Sequence, residues 1–456
     1  MEDEIFISKN QHPLIMGYKE DDPIILEGSR SISRSDFLGG IYGLAEQLPD
    51  YPYVINLCKS KELFLFGLSA ALIRNQITLL PNSESVFNLE KLSKDYTGSY
   101  IFSDQINNEY SGEVFKIEEM PLPLTQIKDI PNISSDNIAV IAFTSGSTGI
   151  PKPSEKSWAS LVGTSHRLAE RFCVYGKNKY TVFSTVSPQH MYGLEASIMM
   201  PLQAGYAIHG SRLFYPDDIR IALSRAPQNR ILVTTPVHLE VIKKDLLEFP
   251  KLETIISATA PLGLKLSKKI EELLRTKVYE IYGFTEAGSV ATRRTTKKEC
   301  WHLLNGYKLT MDELTESHML SIPEILETFP VPDLIRLESD ETFTLKGRSE
   351  DIVKVGGKRT SLQELNFHLN EAPGVIDGII FQPESQDGIT HRLVAILKLN
   401  PQVSIDDVIS HLKLRIDPVF IPRKFVKVSS FSRDANGKIP KEKIINMMND
   451  EKLREI

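Results

Sequence analysis

Thr144-Ser145-Gly146-Ser147-Thr148-Gly149-Ile150-Pro151-Lys152 follows directly on the apolar run 138–143 and gathers hydroxyls, glycines and one lysine into nine residues. Glycines let backbone N–H groups wrap an anion, hydroxyls donate to phosphate oxygens, and a lysine adds compact positive charge. A strand ending in such a loop is the ligand-bearing unit of a parallel α/β sheet, whose sites gather beyond the carboxyl ends of its strands. The spacing is not that of a Walker A loop, because Pro151 stands five residues after Gly146, where that pattern needs a glycine followed by lysine.

The alternation extends outward from this stretch. Residues 53–57 read as a strand, 62–74 as an apolar helix and 77–80 as a second strand closed by Pro81-Asn82. After the hydroxyl-rich loop a helix is predicted from about 157, then a strand at 230–234, a helix at 238–247, and strands within 252–257 and 278–281. Strands alternating with helices predict an α/β fold: a large N-terminal domain of mixed and parallel sheets flanked by helices. The last hundred residues differ. Short strands at 342–346, 375–381, 393–399 and 425–428 alternate with helices near 361–370 and 405–414, which predicts a small α+β module. Residues 347–456 carry 17 basic and 15 acidic side chains, so +2, and leave −8 for the remainder. Pattern and charge place the domains at 1–346 and 347–456, with a short polar hinge at 348–351.

The 456 residues exceed the roughly 250–300 at which a single core stops growing. With 41% hydrophobic and 25% charged residues the chain has globular composition. A net charge of −6 supplies no positive field for nucleic acid or anionic lipid, and neither is expected as a partner. Cys58, Cys173 and Cys300 lie far apart without C-x-x-C spacing, which argues against a zinc site or a disulfide framework and favours a reducing cytoplasm. The acidic start, Met1-Glu2-Asp3-Glu4, is unlike a signal peptide. The apolar run 63–73 is short of the ~20 residues of a membrane span, so none is expected.

Further motifs give the phosphate-type loop a context: Tyr282-Gly283-Phe284-Thr285-Glu286 after the strand at 278–281, Asp333 ahead of Gly347-Arg348, the run Gly347 to Arg359 with Gly356-Gly357, and Asn436-Gly437-Lys438 near the carboxyl end. Taken together, the chain resembles the adenylate-forming superfamily of acyl-CoA synthetases, peptide-synthetase adenylation domains and luciferases, from about residue 31 through Lys441. The resemblance implies ATP-dependent activation of a carboxylic acid, fatty or aryl, to an acyl-adenylate with release of pyrophosphate. Transfer to a thiol would follow. The acceptor is coenzyme A or, as the alternative, the phosphopantetheine of a separate carrier protein, since no carrier domain is fused. A nucleotide-binding protein without catalysis is the third reading, disfavoured by the joint presence of Glu286, Asp333 and Lys438.

By the same resemblance Thr144, Ser145, Gly146, Ser147, Thr148 and Gly149 with Lys152 hold the ATP phosphates. Tyr282, Gly283 and Phe284, with Ala258, Thr259 and Ala260, line the adenine. Thr285 touches the α-phosphate, Glu286 holds Mg2+, Asp333 and Arg348 take the ribose, and Lys438 is the catalytic lysine carried on the mobile small module. Glu350 is the hinge pivot, and Gly356-Gly357 let a pantetheine arm pass close to backbone. His190 gates the reacting carboxylate, with Met191, Gly193 and Thr235 beside the acyl group. Four departures stand out: Pro153 replaces a glycine, Ala258-Thr259 replace paired glycines, Val331-Pro332 replace Thr-Gly, and Glu350 replaces the usual aspartate or lysine. Amino acids rank last as substrates, because no aspartate can be placed as the family's amino-group ligand.

Overall fold

The computed structural model describes residues 10–81, 83–105, 110–119, 129–144, 152–172, 179–227, 229–244, 248–297, 300–312, 317–348, 352–355, 358–383, 392–431, 444 and 447. Contacts divide the chain into two units, one of residues 1–308 with 320–329, the other of 309–319 with 330–456.

The first unit is organised by the helix Lys61–Ile73. Its sequence, KELFLFGLSAALI, is apolar on every side, so it cannot lie on a surface. Ser60 caps it by accepting from the Leu63 amide. Phe64, Leu65, Phe66 and Leu68 are fully buried, each contributing about 1.5–3 kcal/mol by the transfer of its side chain from water. They share one core with helices Arg34–Gln47 and Trp158–Phe172 and with residues from two sheets.

One sheet has the order Lys152–Ser157, Ile138–Thr144, Ile77–Leu80, Tyr53–Asn56, Ser99–Ser103, Val114–Lys116. Its strands run parallel except Lys152–Ser157, which pairs antiparallel with Ile138–Thr144. The second sheet of this unit runs from Trp301–Leu303 through Gly288–Arg293, Lys277–Phe284, Thr254–Ser257, Arg230–Thr234, Thr181–Ser184 and Ala207–His209 to Pro23–Glu27 and Arg30–Ser33. Its centre is parallel and both its ends are antiparallel. Helices Pro216–Arg225, Pro236–Lys244 and Leu264–Leu274 cover its far face, and helix Val86–Asp95 packs on the outer face of the first sheet. The unit is therefore layered helix, sheet, helix, sheet, helix, as the alternation in sequence leads one to expect.

One detail differs from the sequence reading. Residues 152–157 form a strand before the helix begins at Trp158. KPSEKS lacks an apolar alternation, and Pro153 is compatible with a strand only because this one lies at the sheet edge.

In the second unit, strands Asp333–Ser339 and Thr342–Arg348 form a hairpin, as do Ile352–Val355 and Lys358–Ser361. Strands Val375–Phe381, Val394–Leu399 and Lys424–Lys427 make a three-stranded sheet. Helices Leu362–Asn370 and Ile405–Lys413 close a core around Leu365, Leu369, Ile380, Leu397, Val408 and Leu412. The elements expected near 361–370, 375–381, 393–399 and 405–414 are all present. Among the described residues no helix is long and apolar enough to cross a membrane.

Candidate functional site

The parallel register of the second sheet aligns Ser184 with Val233, Thr234 with Ser257, and Ser257 with Glu280, so these strands reach one edge together. The residues that follow them include most of the candidates. Tyr192 closes the edge from outside: its hydroxyl donates to the carbonyls of Thr234, at 3.0 Å, and Ile256, at 2.8 Å. Burial raises the Tyr192 phenol well above its ordinary pKa, so it is a permanent donor here.

On the acyl side, His190 is exposed at the start of the short helix Met191–Leu194. Met191 packs against the central core. Gly193 is required by contact: a Cβ there would stand 1.9 Å from the Ser187 carbonyl oxygen. Thr235 Oγ1 and His238 Nδ1 are 2.8 Å apart, and burial, with Arg212 nearby, lowers the His238 pKa.

On the nucleotide side, Tyr282 is buried, with its ring 5.7 Å from that of Trp301 and 6.5 Å from that of Phe284. The Arg293 guanidinium stands over Trp301 at 4.4 Å, a cation–π contact. Arg293 Nε in turn donates to Glu280 at 2.6 Å, and the same carboxylate accepts from the Leu262 amide at 2.9 Å. One buried carboxylate thereby ties the Tyr282 support to the end of the Ala258–Ala260 segment. Thr259 within that segment has φ +78°, a region that favours glycine and strains a β-branched residue. Of the two residues Ala258-Thr259, Thr259 alone stands in this glycine-favouring region. At Gly283 a Cβ would lie 2.2 Å from the Gly288 carbonyl, so glycine is needed where the strand turns back on itself.

Thr285 is half-buried and Glu286 exposed. Both backbone carbonyls are held from strand Lys152–Ser157: Ser154 Oγ donates to Thr285 O at 3.2 Å, and Lys156 Nζ donates to Glu286 O. Thr144 and Lys152 face each other across the hairpin rung that closes the hydroxyl-rich loop, and Lys152 is exposed. Thus the structure brings the rim of that loop to the Thr285–Glu286 turn. Lys156 is buried, and desolvation lowers its pKa to about 8 against the raising effect of the Glu195 and Glu286 carboxylates. Glu195, also buried, is raised by desolvation, opposed by its hydrogen bonds from Ser289 and by Lys156.

In the second unit, Asp333 and Arg348 are direct partners across the hairpin, so the two ribose candidates share a rung. Ser145, Gly146, Ser147, Thr148, Gly149, Glu350, Gly356, Gly357 and Lys438 lie outside the described residues. Sequence reasoning missed Ser154, Lys156, Glu195, Glu280 and Arg293. The only available signal was the i, i+2 spacing of Lys152, Ser154 and Lys156.

An exposed carboxylate beside a threonine hydroxyl suits a hard cation that takes its other ligands from water and phosphate oxygens. Among the described residues no group of three or more His, Cys, Asp or Glu side chains could hold a metal without such help.

A family model described as AMP-binding enzyme matches residues 52–313, more than half of the chain. D-alanine–D-alanyl carrier protein ligase of Staphylococcus aureus strain MRSA252 is 22% identical over 82% of this chain and 84% of its own. Among solved structures, ATP-bound MatB from Rhodopseudomonas palustris aligns with a TM-score of 0.79 at 18% identity, over 95% of this chain and 97% of that one. The o-succinylbenzoate CoA synthetase MenE from Bacillus subtilis, with its acyl-adenylate intermediate, aligns with a TM-score of 0.78 at 16% identity, over 96% and 97%. These two likenesses establish a shared fold.

Proposed function

Because the chain belongs to the AMP-binding enzyme family, we propose that it is an AMP-forming acid–thiol ligase, acting on a fatty or aryl carboxylic acid with ATP and Mg2+. The observation that carries this reading is the attachment of the Thr285–Glu286 turn to the strand leaving the 144–152 loop, which joins two segments assigned separately to phosphate and to metal.

The substrate carboxylate attacks the α-phosphorus, an O–P bond forms, and pyrophosphate leaves with the electrons of the broken one. The residues Thr144 to Gly149 supply backbone and hydroxyl donors, and Lys152 adds charge to the phosphates. Glu286 would hold Mg2+, which would supply neutralisation of phosphate charge. Tyr282, backed by Trp301 and Arg293, stacks beside adenine, and Asp333 with Arg348 takes the ribose hydroxyls. His190, Met191, Gly193 and Thr235 border the acyl group. Lys438 bridges carboxylate and α-phosphate. In the second step a thiol sulfur attacks the acyl carbon, its proton goes to solvent and AMP leaves, giving the thioester. The small module, residues 347–456, turns about Glu350 between the steps, so that Gly356-Gly357 replace Lys438 at the site.

Coenzyme A is the acceptor in the leading form of this reading, in a reducing cytoplasm. The 22% identical carrier protein ligase supports the second form, in which a separate carrier's phosphopantetheine receives the acyl group. A screen of ATP–pyrophosphate exchange across aliphatic, aryl and amino acids tests the reading, with thioester formation on coenzyme A or on a phosphopantetheinylated carrier deciding the acceptor. Lys438→Ala is expected to abolish exchange while leaving thiolysis of a supplied acyl-adenylate largely intact. Equal loss of both removes the two-stage assignment, and failure of every acid to support exchange removes the whole reading.

A further inference from the structure

Resting on the adenylating reading above, we propose that Lys156, Ser154 and Glu195 are positioning residues that hold the Thr285–Glu286 segment in register with the strand that carries Lys152. A strand alternates its side chains, so Lys152, Ser154 and Lys156 share one face of Lys152–Ser157. Over residues 153–156 burial follows the alternation: Ser154 and Lys156 are buried, Pro153 and Glu155 exposed, while Lys152 at the start of the strand is exposed although it shares their face. The two inward groups donate to the carbonyls of consecutive residues, Ser154 to Thr285 and Lys156 to Glu286. Fixing these successive carbonyls fixes the two peptide planes that flank Glu286, and with them the direction in which its side chain leaves the backbone, and fixes one of the two planes that flank Thr285.

The far end of the segment is gripped separately. Glu195 accepts from the Ser289 amide at 2.8 Å and from the Ser289 hydroxyl at 2.5 Å. Gly288 has φ +79°, and a Cβ on it would stand 2.2 Å from Glu195 Oε1, so the carboxylate fills the space a side chain would need. Residues 285–289 are therefore clamped by a hydroxyl and an ammonium at one end and a carboxylate at the other. Lys156 and Glu195 are only 3% and 2% exposed, which excludes them from touching a nucleotide in this arrangement. Burying charge is costly, and apolar side chains would fill this space more cheaply. A role through the carbonyl and amide they hold accounts for both. Lys152, the phosphate candidate, stands two residues from Ser154 on the same strand, so Lys152 and the Thr285–Glu286 turn cannot shift independently.

The test uses the full chain and the variants Lys156→Met, Lys156→Arg, Ser154→Ala and Glu195→Gln. The readouts are titration with Mg·ATP, titration with AMP without metal, the rise in Tm that each ligand causes, and the kcat and KM for ATP and acid in pyrophosphate exchange. Lys156→Met is expected to weaken Mg·ATP binding and kcat/KM for ATP by roughly 10- to 100-fold, with KM for the acid unchanged. Lys156→Arg restores part of the loss. Ser154→Ala moves the same quantities in the same direction by less, and metal-free AMP binding falls less than Mg·ATP binding in both. Should Lys156→Met fail to fold, Ser154→Ala and Glu195→Gln carry the test. Variants that lower Tm while leaving the Mg·ATP response intact show a purely structural role and overturn the proposal. A wild type without any Mg·ATP response removes the adenylating reading and this inference with it, whereas a responding wild type with unaffected variants removes this inference alone.

Discussion

Lys156 and Lys61 are both buried lysines of the first unit, 3% and 1% exposed, and both donate to a backbone carbonyl at a strand or turn end. Their surroundings differ. Lys156 has two carboxylates acting on it, Glu195 and Glu286, and its pKa falls only to about 8. Lys61 donates to Ser184 O at 3.1 Å and is opposed by Glu27 alone, and its pKa falls to about 7. The adjacent Glu62 is engaged in a bidentate pair with Arg30 at 2.7 and 2.8 Å and is not available to it. Lys61 also opens the helix Lys61–Ile73, where the backbone dipole is positive and disfavours a cation. Depth of burial is similar at the two places. Two opposing carboxylates counter desolvation at Lys156 where Lys61 has one, and both amines are pushed down from their ordinary value.

The comparison assigns function to the Lys156 neighbourhood and a stability cost to that of Lys61, and each half can be broken. The largest effect is expected at Glu286. Its carboxylate is exposed but helps hold the charge of buried Lys156, so Glu286→Gln should cost some stability, on the order of 1 kcal/mol, and remain folded. Pyrophosphate exchange should nevertheless fall by roughly 100- to 1,000-fold, as for other preorganised electrostatic contacts. Exchange at the wild-type rate, measured at saturating Mg·ATP, would show that this end of the sheet does not hold the metal-side contact.

Lys61→Met tests the other half. The folded state of Lys61 releases its proton near pH 7, whereas in the unfolded chain the amine holds it to its ordinary value of 10.5. Between these values the unfolded state binds more protons, so this residue destabilises the fold fully below pH 7 and not at all above about pH 10.5. Wild-type stability should therefore climb from pH 7 to 10 by this contribution. Lys61→Met should lack the climb and exceed wild type most at pH 6, by roughly a few kcal/mol of unfolding free energy from denaturant titrations. A constant difference between the two proteins across that range would refute the assignment of a neutralised amine.

How much of this was legible in sequence depends on where each residue finds its partner. The strand Lys277–Phe284 and the turn after it are local: an apolar run followed by Tyr-Gly-Phe-Thr-Glu announces both. Asp333 and Arg348 were picked out only by the family resemblance of their separation; that they are partners on one rung emerges from the hairpin and was not read from sequence. The strand Lys152–Ser157 was not, since an edge strand of polar residues has only one partner and needs no apolar alternation. Lys156 and Glu195 were invisible for a further reason. A charged residue in sequence reads as solvated surface, and only tertiary contacts with residues 286 and 289 show otherwise. At Thr259 the substitution was plain in the sequence, but its left-handed backbone, and hence its strain, is set by neighbouring strands.

The smallest effect sharpens the comparison from within the Lys61 neighbourhood. His209 is buried, and its pKa is lowered to about 4, first by desolvation and then by the charge of Lys61. Removing that charge in Lys61→Met takes away only the second cause. The His209 imidazole should therefore titrate higher in the variant than in wild type while staying below 6.5, its ordinary value, because burial persists. His238 serves as the internal control, since its own lowering comes from burial and Arg212, with no contribution from Lys61. Histidine titrations by NMR on the two proteins read both residues at once. If His209 and His238 move together, the change is a general loosening of the fold. If His209 moves alone, Lys61 carries charge over the pH range in which His209 titrates, which is the same proton whose loss near pH 7 sets it apart from Lys156.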